Sequence, residues 1–155
     1  MAYLETVFSI FKILPVEDED FNIIRSILQQ SNLVYTDLDQ RMPHFFKAIV
    51  GSTVVGCIGL ELYGSHGLLR SLWVDPAQRR LGLAASLVQT LEEYAVGHDL
   101  SDLYLLTETA EAFFLKRGYQ RLDRQTAPEE LKGSAEFKSL CPDSAALMVK
   151  SLSAH

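Results

Sequence analysis

The sequence predicts an α/β (α+β) domain in which a mixed, mostly antiparallel sheet of six to seven strands is flanked by helices. Two observations carry this prediction. Residues 44–74 contain three consecutive strand patterns separated by short Gly-containing turns, which is typical of an antiparallel meander and not of βαβ units. On both sides of this meander, strand patterns alternate with stretches of helical periodicity, so helices are expected to cover the sheet.

The residues before the meander predict one strand and one helix. The string VFSIFKIL at residues 7–14 is rich in β-branched and aromatic residues and ends at Pro15, which favours a strand. Four acids at residues 17–20 precede apolar residues at helical spacing and complement the positive end of a helix dipole. A catalytic role for these acids is the alternative. The polar stretch at residues 30–43 indicates a loop with a short helical turn around residues 37–41.

The meander itself is predicted as strands at residues 44–50, 53–63 and 68–74, with turns at residues 51–52 and 64–67. An amphipathic helix follows, with an apolar stripe from Ala84 to Ala95 and Gly97 as its cap. The remaining predicted elements are a buried strand at 102–107, a helix at 109–117, a strand at 119–122, helical pieces at 128–132 and 134–140, and a last strand at 145–149.

Composition limits the classes of function. The length of 155 residues suits one domain, which we assign to residues 1–155. The net charge of −6 argues against general nucleic-acid binding, which normally leaves a basic footprint. Two cysteines, far apart and without a nearby His pair, make a disulfide framework or a metal site unexpected. The sequence shows no signal peptide and no membrane-spanning apolar run, so we expect a cytoplasmic protein.

The stretch that points to chemistry is a strand, a basic turn and a helix at residues 68–91. The pattern Arg-x-x-Gly-x-Ala, formed by Arg79, Gly82 and Ala84, opens the helix. Small residues let a phosphate approach the backbone, whose unpaired N–H groups can bind it, and Arg79 and Arg80 add positive charge. A ligand that carries a pyrophosphate suits this turn. The alternative is an ordinary turn in which Gly82 and Ala84 only permit close packing.

Two motifs together resemble the GCN5-related N-acetyltransferase (GNAT) superfamily. The acyl-CoA motif of that superfamily, Arg/Gln-x-x-Gly-x-Gly/Ala, is matched by Arg79, Gly82 and Ala84. Its second signature, A-x-x-x-[YF]-x-x-x-G-[FY], is matched by Ala110, Phe114, Gly118 and Tyr119. The resemblance covers residues 7–152 in element order, and its specific motifs lie within residues 68–122.

This resemblance implies acetyl-CoA as cosubstrate and no metal. In the superfamily, the strand before the turn splays from the next strand, and the pantetheine arm inserts into the opening. Backbone groups of residues 79–84 would hold the pyrophosphate. The residues that the resemblance assigns to the cosubstrate are Leu72, Trp73, Val74, Arg79, Arg80, Leu81, Gly82, Leu83, Ala84, Thr107, Phe113 and Phe114.

One branch of the superfamily resembles this sequence more than the superfamily as a whole does. The strings LLRSLWVDPAQRRLGL, LYLLTETAEAFFLKRGYQRLDR and AEFKSLCPDSAALM resemble acetyltransferases of arsenic-resistance operons and the acetyltransferase domain of N-acetylglutamate synthases. The resemblance implies direct acetyl transfer, in a ternary complex, to the amine of a small, amino-acid-like acceptor. Arsenic compounds are among the candidate acceptors, and a homodimer is a candidate assembly. The alternatives are a protein or peptide N-acetyltransferase and a non-catalytic acyl-CoA-binding module, which Phe114 favours because many members carry Tyr there.

Fewer features of the sequence indicate which residues contact the amine acceptor. Glu61, late in its strand, is the candidate general base, with a surface carboxylate as the alternative. Arg70 and Ser71 are candidate substrate residues, because an Arg can hold a carboxylate in a fork; a structural ion pair is the alternative for Arg70. Cys141 is a candidate acceptor contact or a small buried hydrophobe. His66 is expected to be a solvated turn residue.

Overall fold

A computed structural model describes residues 11–38, 44–79, 81–140 and 144–152. Its strands are β1 (Lys12–Pro15), β2 (Phe45–Val50), β3 (Thr53–Tyr63), β4 (His66–Val74), β5 (Asp102–Thr107), β6 (Gln120–Leu122) and β7 (Ala146–Ser151). Its α-helices are α1 (Phe21–Gln30), α2 (Leu83–Gly97), α3 (Glu111–Leu115), α4 (Glu129–Lys132) and α5 (Ala135–Ser139). The strands form one seven-stranded sheet in the order β1-β2-β3-β4-β5-β7-β6. The predicted mixed sheet with flanking helices is confirmed.

The direction of the strands follows the meander that the sequence predicts. The pairs β1–β2, β2–β3, β5–β7 and β6–β7 are antiparallel, whereas β4 and β5 are parallel. The parallel pair arises because α2 carries the chain back across the sheet between β4 and β5, which a parallel connection requires.

Several boundaries differ from the prediction. β4 begins at His66, not at residue 68, because His66 and Gly67 pair with Asp102 and Leu103 of β5. The interpretation of His66 as a solvated turn residue is therefore wrong. Its Nδ1 lies 2.7 Å from Oδ1 of Asp102, so the imidazole is held by a carboxylate at the start of the parallel pair. The helix predicted at 109–117 is shorter, α3, and residues 7–10 and 39–41 lie outside the described residues.

The four acids at residues 17–20 directly precede α1, as predicted. Asp18–Asp20 form a 3-10 turn, and the backbone N–H of Glu17 donates to Oδ2 of Asp20 at 2.8 Å. Nζ of Lys47 also lies 2.8 Å from this oxygen. Although burial alone would raise the pKa of Asp20, the hydrogen bonds from Lys47 and Glu17 and the charge of Lys47 hold this pKa below its ordinary value. Asp20 therefore anchors α1 to β2.

Contacts divide the chain into two compact units. The first contains Met1–Gly59 and Ser71–Leu91, and the second contains Leu60–Arg70 and Glu92–His155. The core of the first unit includes Phe21, Ile24, Leu28, Leu38, Phe45 and Cys57. The core of the second includes Leu68, Tyr104, Leu106, Ala127, Leu131, Phe137, Ala145 and Leu147. The assignment of one N-acetyltransferase domain to residues 1–155 stays a prediction.

In the first unit, Gly56 sets how closely α2 approaches β3. A Cβ at Gly56 would lie 3.1 Å from Cδ1 of Leu87 and 3.1 Å from the carbonyl oxygen of Trp73. Leu83 and Leu87 of α2 are fully buried there. The first turn of α2 is therefore fixed on the sheet by the packing of its apolar face.

In the second unit, the buried side chain of Tyr119 joins a polar network. Its hydroxyl donates to Oε2 of Glu92 at 2.8 Å, and Nζ of Lys150 donates to both carboxylate oxygens of Glu92 at 3.1 Å. Burial, followed by the charge of Glu92, raises the pKa of Tyr119 well above its ordinary value. The network links α2, β7 and the residue that follows the left-handed Gly118 (φ 92°).

We expect Tyr119→Phe to lower the free energy of unfolding by about 1–2 kcal/mol, because it removes a hydrogen bond to a charged group. Glu92 keeps Lys150 as its partner, which limits the loss. Urea unfolding measures the change. Tyr104→Phe is the control: Tyr104 is also largely buried, and its hydroxyl makes no hydrogen bond among the described residues. Equal losses in the two variants would contradict the role of the Tyr119 hydroxyl.

Candidate active site

The pairing between β4 and β5 stops early. Residues 66–68 of β4 pair with residues 102–104 of β5, and the ladder does not continue to Leu69 and Arg70. β5 itself runs on to Thr107 and pairs with β7 along its whole length. The parallel pairing of these two strands is therefore confined to three residue pairs at their start.

Ser71, the first residue of β4 that belongs to the first unit, has an unusual backbone. Its φ of 63° lies in the left-handed region, which non-glycine residues rarely adopt inside a strand. The thiol of Cys57 donates to the carbonyl oxygen of Ser71 at 3.3 Å, and both residues are buried. A backbone held in this region costs about 1–3 kcal/mol and commonly marks a functional site. The conformation of Ser71 interrupts the regular course of β4 where its pairing with β5 has ended.

The turn after β4 is held by a set of short hydrogen bonds. The backbone N–H of Asp75 donates to the carbonyl oxygen of Val55 at 2.8 Å, and Oδ1 of Asp75 accepts from the N–H of Ala77 at 3.0 Å. Nε of Arg79 donates to the carbonyl oxygen of Val74 at 3.2 Å. These bonds fix the path of the chain into α2. One side of the Arg79 guanidinium is thereby tied to the end of β4.

The start of α2 has an open, glycine-containing approach. Gly82 has φ of 80°, and nothing lies within 4 Å of the position that a Cβ would occupy. Leu81 and Gly82 are exposed, Ala84 is half-buried, and Leu83 points its side chain into the core. α2 has 15 residues, and the N–H groups of its first turn lack partners within the helix. The turn can therefore accept a phosphate through its backbone, whereas Leu83 can contribute only its backbone.

Leu72, Trp73 and Val74 end β4 and were assigned to the pantetheine arm by resemblance. Val74 is buried, and Leu72 and Trp73 are half-buried. The indole of Trp73 packs against the hydrophobic core of the first unit. Contact of Trp73 with a cosubstrate would therefore use its backbone or its exposed edge. The assignment of all three residues stays a prediction, as does that of Arg80, which lies outside the described residues.

In the second unit, Thr107 ends β5 just before α3, and Phe113 and Phe114 lie in α3 itself. Oγ1 of Thr107 accepts a hydrogen bond from the backbone N–H of Ala110 at 2.9 Å, so it closes the turn before the helix. Phe114 is buried, and its ring packs edge-on against Phe113 at 5.0 Å and against Tyr119 at 5.2 Å between ring centroids. Phe113 is half-buried. Phe114 is thus a core residue that supports Phe113, a role compatible with the predicted cosubstrate contact.

The candidate base and the candidate substrate arginine form a buried ion pair. Nη1 of Arg70 donates to Oε2 of Glu61 at 2.7 Å, and the side chains are 0% and 11% exposed. The hydroxyl of Tyr63 donates to Oε1 of Glu61. Oε2 of Glu136 lies 4.0 Å from Nε of Arg70. The structure therefore brings Glu61 and Arg70 together within the second unit and adds Tyr63 and Glu136 to them.

Sequence reasoning missed Tyr63 and Glu136. Tyr63 could have been found, since it shares a strand face with Glu61 two residues away. Glu136 comes from α5 and has no local signal that points to β3 or β4. Its burial is visible only in the folded chain. Cys141, the remaining acceptor-side candidate, lies outside the described residues.

Cys57 is not a nucleophile. Burial raises the pKa of its thiol to about 12. In a Cys141→Ser background, at about pH 8, we expect Cys57 in the native protein to react with an aromatic disulfide reagent about a thousandfold more slowly than in the chain unfolded in urea, because so little thiolate is present. A stopped-flow absorbance assay measures the two rates. Comparable rates in the native and unfolded chains would contradict the burial of this thiol.

Among the described residues, no group of three or more His, Cys, Asp or Glu side chains is arranged to hold a metal ion. Within the same ranges, no helix has the length and apolar character needed to cross a bilayer.

The fold is shared with proteins of known structure, an N-acetyltransferase among them. N-acetylglutamate synthase from Neisseria gonorrhoeae, complexed with coenzyme A and L-arginine, gives a TM-score of 0.77 at 18% identity over 93% of this chain and 34% of that chain. Rv2747 from Mycobacterium tuberculosis, in complex with CoA and NLQ, gives 0.74 at 21% identity over 90% and 98%. The ribosomal-protein-S18-alanine N-acetyltransferase from Escherichia coli gives 0.64 at 17% over 94% and 96%. The chain spans about a third of the length of the synthase.

A seven-stranded mixed sheet flanked by helices is the fold that this chain shares with these proteins. Residues 7–119 match the Acetyltransferase (GNAT) family, and the chain belongs to this family. The prediction of the superfamily is confirmed, and the first two neighbours named above were solved with CoA bound, in agreement with the predicted cosubstrate. No curated protein sequence matches the chain, and the arsenic-resistance branch stays a prediction.

Proposed function

We propose that this protein transfers an acetyl group from acetyl-CoA to the amine of a small, amino-acid-like acceptor by direct attack in a ternary complex. The observation that carries the proposal is the left-handed, open Gly82 at the start of α2, in a chain of the GNAT family. We also propose that the protein is cytoplasmic and that it can assemble as a homodimer.

The proposed donor site uses the backbone of the turn. The exposed Leu81 and Gly82 leave room for a pyrophosphate beside the first N–H groups of α2, and Arg79 supplies positive charge. Leu72, Trp73 and Val74 are proposed as the strand that meets the pantetheine arm. Thr107, Phe113 and Phe114 are proposed as its other neighbours. Arg80 is included among the residues of the proposed donor site by resemblance alone.

The proposed reaction needs no covalent enzyme intermediate. The neutral amine attacks the thioester carbonyl carbon, a C–N bond forms, the C–S bond breaks, and the amine proton passes to a base. The CoA thiolate can take a proton from water, since a thiol of this kind has a pKa of about 8.5. Phe114 in place of Tyr therefore leaves the chemistry intact. The raised pKa of Cys57 also disfavours a route through an acyl-cysteine at that residue.

Glu61 is the proposed base, and Arg70 and Ser71 are proposed to face the acceptor. Both oxygens of Glu61 accept hydrogen bonds, from Arg70 and from Tyr63, so the carboxylate has one fixed orientation. Glu61→Gln is expected to lower kcat by about a hundredfold or more and to change the pH profile of the reaction, because a general base contributes that much. A fall in stability with an unchanged pH profile would make Glu61 a structural residue.

The nature of the acceptor separates the proposal from its alternatives. The synthase relative carries a name that refers to an amino-acid acceptor, whereas the E. coli relative is named for a ribosomal protein. The experiment is a thiol-release assay with acetyl-CoA and a panel of free amino acids, their phosphorus and arsenic analogues, and peptides. Acetylation of free amino acids without peptides supports the proposal. Acetylation of peptides alone favours a protein acetyltransferase, and tight acetyl-CoA binding without turnover on any amine favours a non-catalytic module.

A further inference from the structure

Arg117, two residues after the end of α3, covers the aromatic ring of Phe113. The central carbon of its guanidinium lies 3.9 Å from the centroid of this ring, well inside the range of about 6 Å in which a cation–π pair forms. Its Nη1 also donates to the carbonyl oxygen of Phe113 at 3.1 Å. Two contacts with one residue therefore hold the guanidinium against Phe113, which is itself a proposed neighbour of the cosubstrate.

The other two nitrogens of this guanidinium are available to a ligand. Nε and Nη2 of Arg117 make no hydrogen bond among the described residues, and neither is one of the buried atoms that lack a partner there. Both nitrogens therefore reach solvent. Their N–H bonds lie side by side along one edge of the guanidinium, and such an edge matches two oxygens of one anion. Within the same part of the chain, Arg117 makes no ion pair with a carboxylate.

The segment around Arg117 is basic, although the protein as a whole is acidic. Residues 111–124 carry four cationic side chains and two carboxylates, those of Lys116, Arg117, Arg121, Arg124, Glu111 and Asp123. This segment therefore has a charge of +2 in a chain whose net charge is −6. A local excess of positive charge attracts an anion to this part of the surface.

The chemistry of the cosubstrate indicates which anion suits Arg117. CoA carries a pyrophosphate and one further phosphate on the 3′ oxygen of its ribose. The proposed function assigns the pyrophosphate to the backbone of residues 79–84, so the ribose phosphate is the anion that still needs a partner. A phosphate monoester carries a charge of about −1.5 to −2 at pH 7 and offers three acceptor oxygens, which suits the free edge of a guanidinium.

We propose that Arg117 binds the 3′-phosphate of CoA through Nε and Nη2, with its guanidinium held in place by Phe113. The inference rests on the proposed function, which places Phe113 beside the cosubstrate. It adds a donor-side residue that neither of the two sequence motifs singled out. It also means that the protein discriminates between CoA and 3′-dephospho-CoA, which lacks this phosphate alone.

The test compares the binding of CoA and of 3′-dephospho-CoA to the intact protein by calorimetry. In the unaltered protein, CoA is expected to bind about 10–100-fold more tightly, the effect of charge-assisted hydrogen bonds to one phosphate. Arg117→Gln is expected to bring this ratio close to one. Arg117→Lys is expected to retain part of it, because lysine keeps the charge but not the planar edge. A ratio that stays unchanged in Arg117→Gln overturns the inference.

Arg121→Gln is the matched control. It removes the same charge from the same basic segment, but the guanidinium of Arg121 is 66% exposed and already contacts Glu111 at 3.4 Å. This variant is expected to keep the ratio of the unaltered protein. Loss of the contacts between Arg117 and Phe113 by itself lowers the affinity for both nucleotides together, so the ratio separates recognition of the phosphate from loosening of α3. A ratio that falls equally in the two variants counts against the inference.

A second measurement follows the bound phosphate itself. The phosphorus-31 resonance of the 3′-phosphate is recorded against pH in the complex with CoA. Because a guanidinium favours the dianion, the second pKa of the bound phosphate is expected to lie below the value of about 6 for a free phosphate monoester. In Arg117→Gln this pKa is expected to return toward that value. A bound phosphate that titrates as in free CoA overturns the inference.

Both measurements need binding and not turnover, so they separate this inference from the proposed function. Discrimination that depends on Arg117, in a protein that acetylates no amine, supports the phosphate site while the proposed function fails. Acetylation of free amino acids by a protein whose discrimination is unchanged in Arg117→Gln overturns the inference and leaves the proposed function standing.

Discussion

Replacing Gly82 with glutamate is expected to weaken CoA binding about a hundredfold or more, because a negative charge beside the pyrophosphate costs about 3 kcal/mol of repulsion near a protein surface. The space beside Gly82 is open, so the new side chain fits without a clash. Its φ of 80° adds a backbone strain of about 1–2 kcal/mol for any L side chain. Equilibrium binding of acetyl-CoA by calorimetry measures the effect.

Two controls separate charge from strain. Gly82→Gln has the same shape and the same backbone strain without the charge, so its CoA affinity is expected to fall much less. Gly51→Glu places the same residue at another open, left-handed glycine (φ 61°), in the turn between β2 and β3, and should bind CoA normally. The difference between Gly82→Glu and Gly82→Gln should shrink at high salt, since salt screens exposed charges. Unchanged affinity in Gly82→Glu would show that the turn does not hold the pyrophosphate.

Replacing Arg70 with methionine is expected to lower the free energy of unfolding by about 3–5 kcal/mol, because Glu61 stays buried with its hydrogen bond from Tyr63 but loses its cationic partner. Glu61 and Glu136, two largely buried carboxylates, would then both lose the guanidinium that lies within 4.0 Å of each. Urea unfolding measures the loss. The double variant Arg70→Met/Glu61→Met should lose less than the sum of the single variants, because it removes both charges of the pair.

The exposed pair of Lys132 and Glu129 provides the comparison. Its side chains are 36% and 85% exposed, and Lys132→Met is expected to change stability by less than about 1 kcal/mol. If Arg70→Met leaves stability unchanged while it raises KM for the acceptor, the guanidinium serves the substrate and not the fold. That result would favour a substrate-binding role for Arg70 over the role of a structural ion pair.

Local patterns predicted most of the elements. The meander of β2, β3 and β4, the helix α2 and the strand β5 follow from alternation, turn residues and helical periodicity, all of which act over a few residues. The start of β4 was misplaced because His66 joins the sheet through β5, a partner 36 residues away. The left-handed Ser71 could not be foreseen either, since serine has no preference for that region and surrounding packing must impose it.

The sequence by itself determined the family, because the acyl-CoA motif is a contiguous turn whose spacing carries its geometry. Only the tertiary structure decided the partners of the buried charges. Glu61 and Arg70 lie on neighbouring stretches, but Glu136 joins them from α5, and the carbonyls that hold Arg124 come from Phe137 and Leu140. Burial raises the energetic weight of such contacts, and burial is a property of the whole packed chain. The proposed acceptor side is therefore defined by packing, and the proposed donor side by a motif.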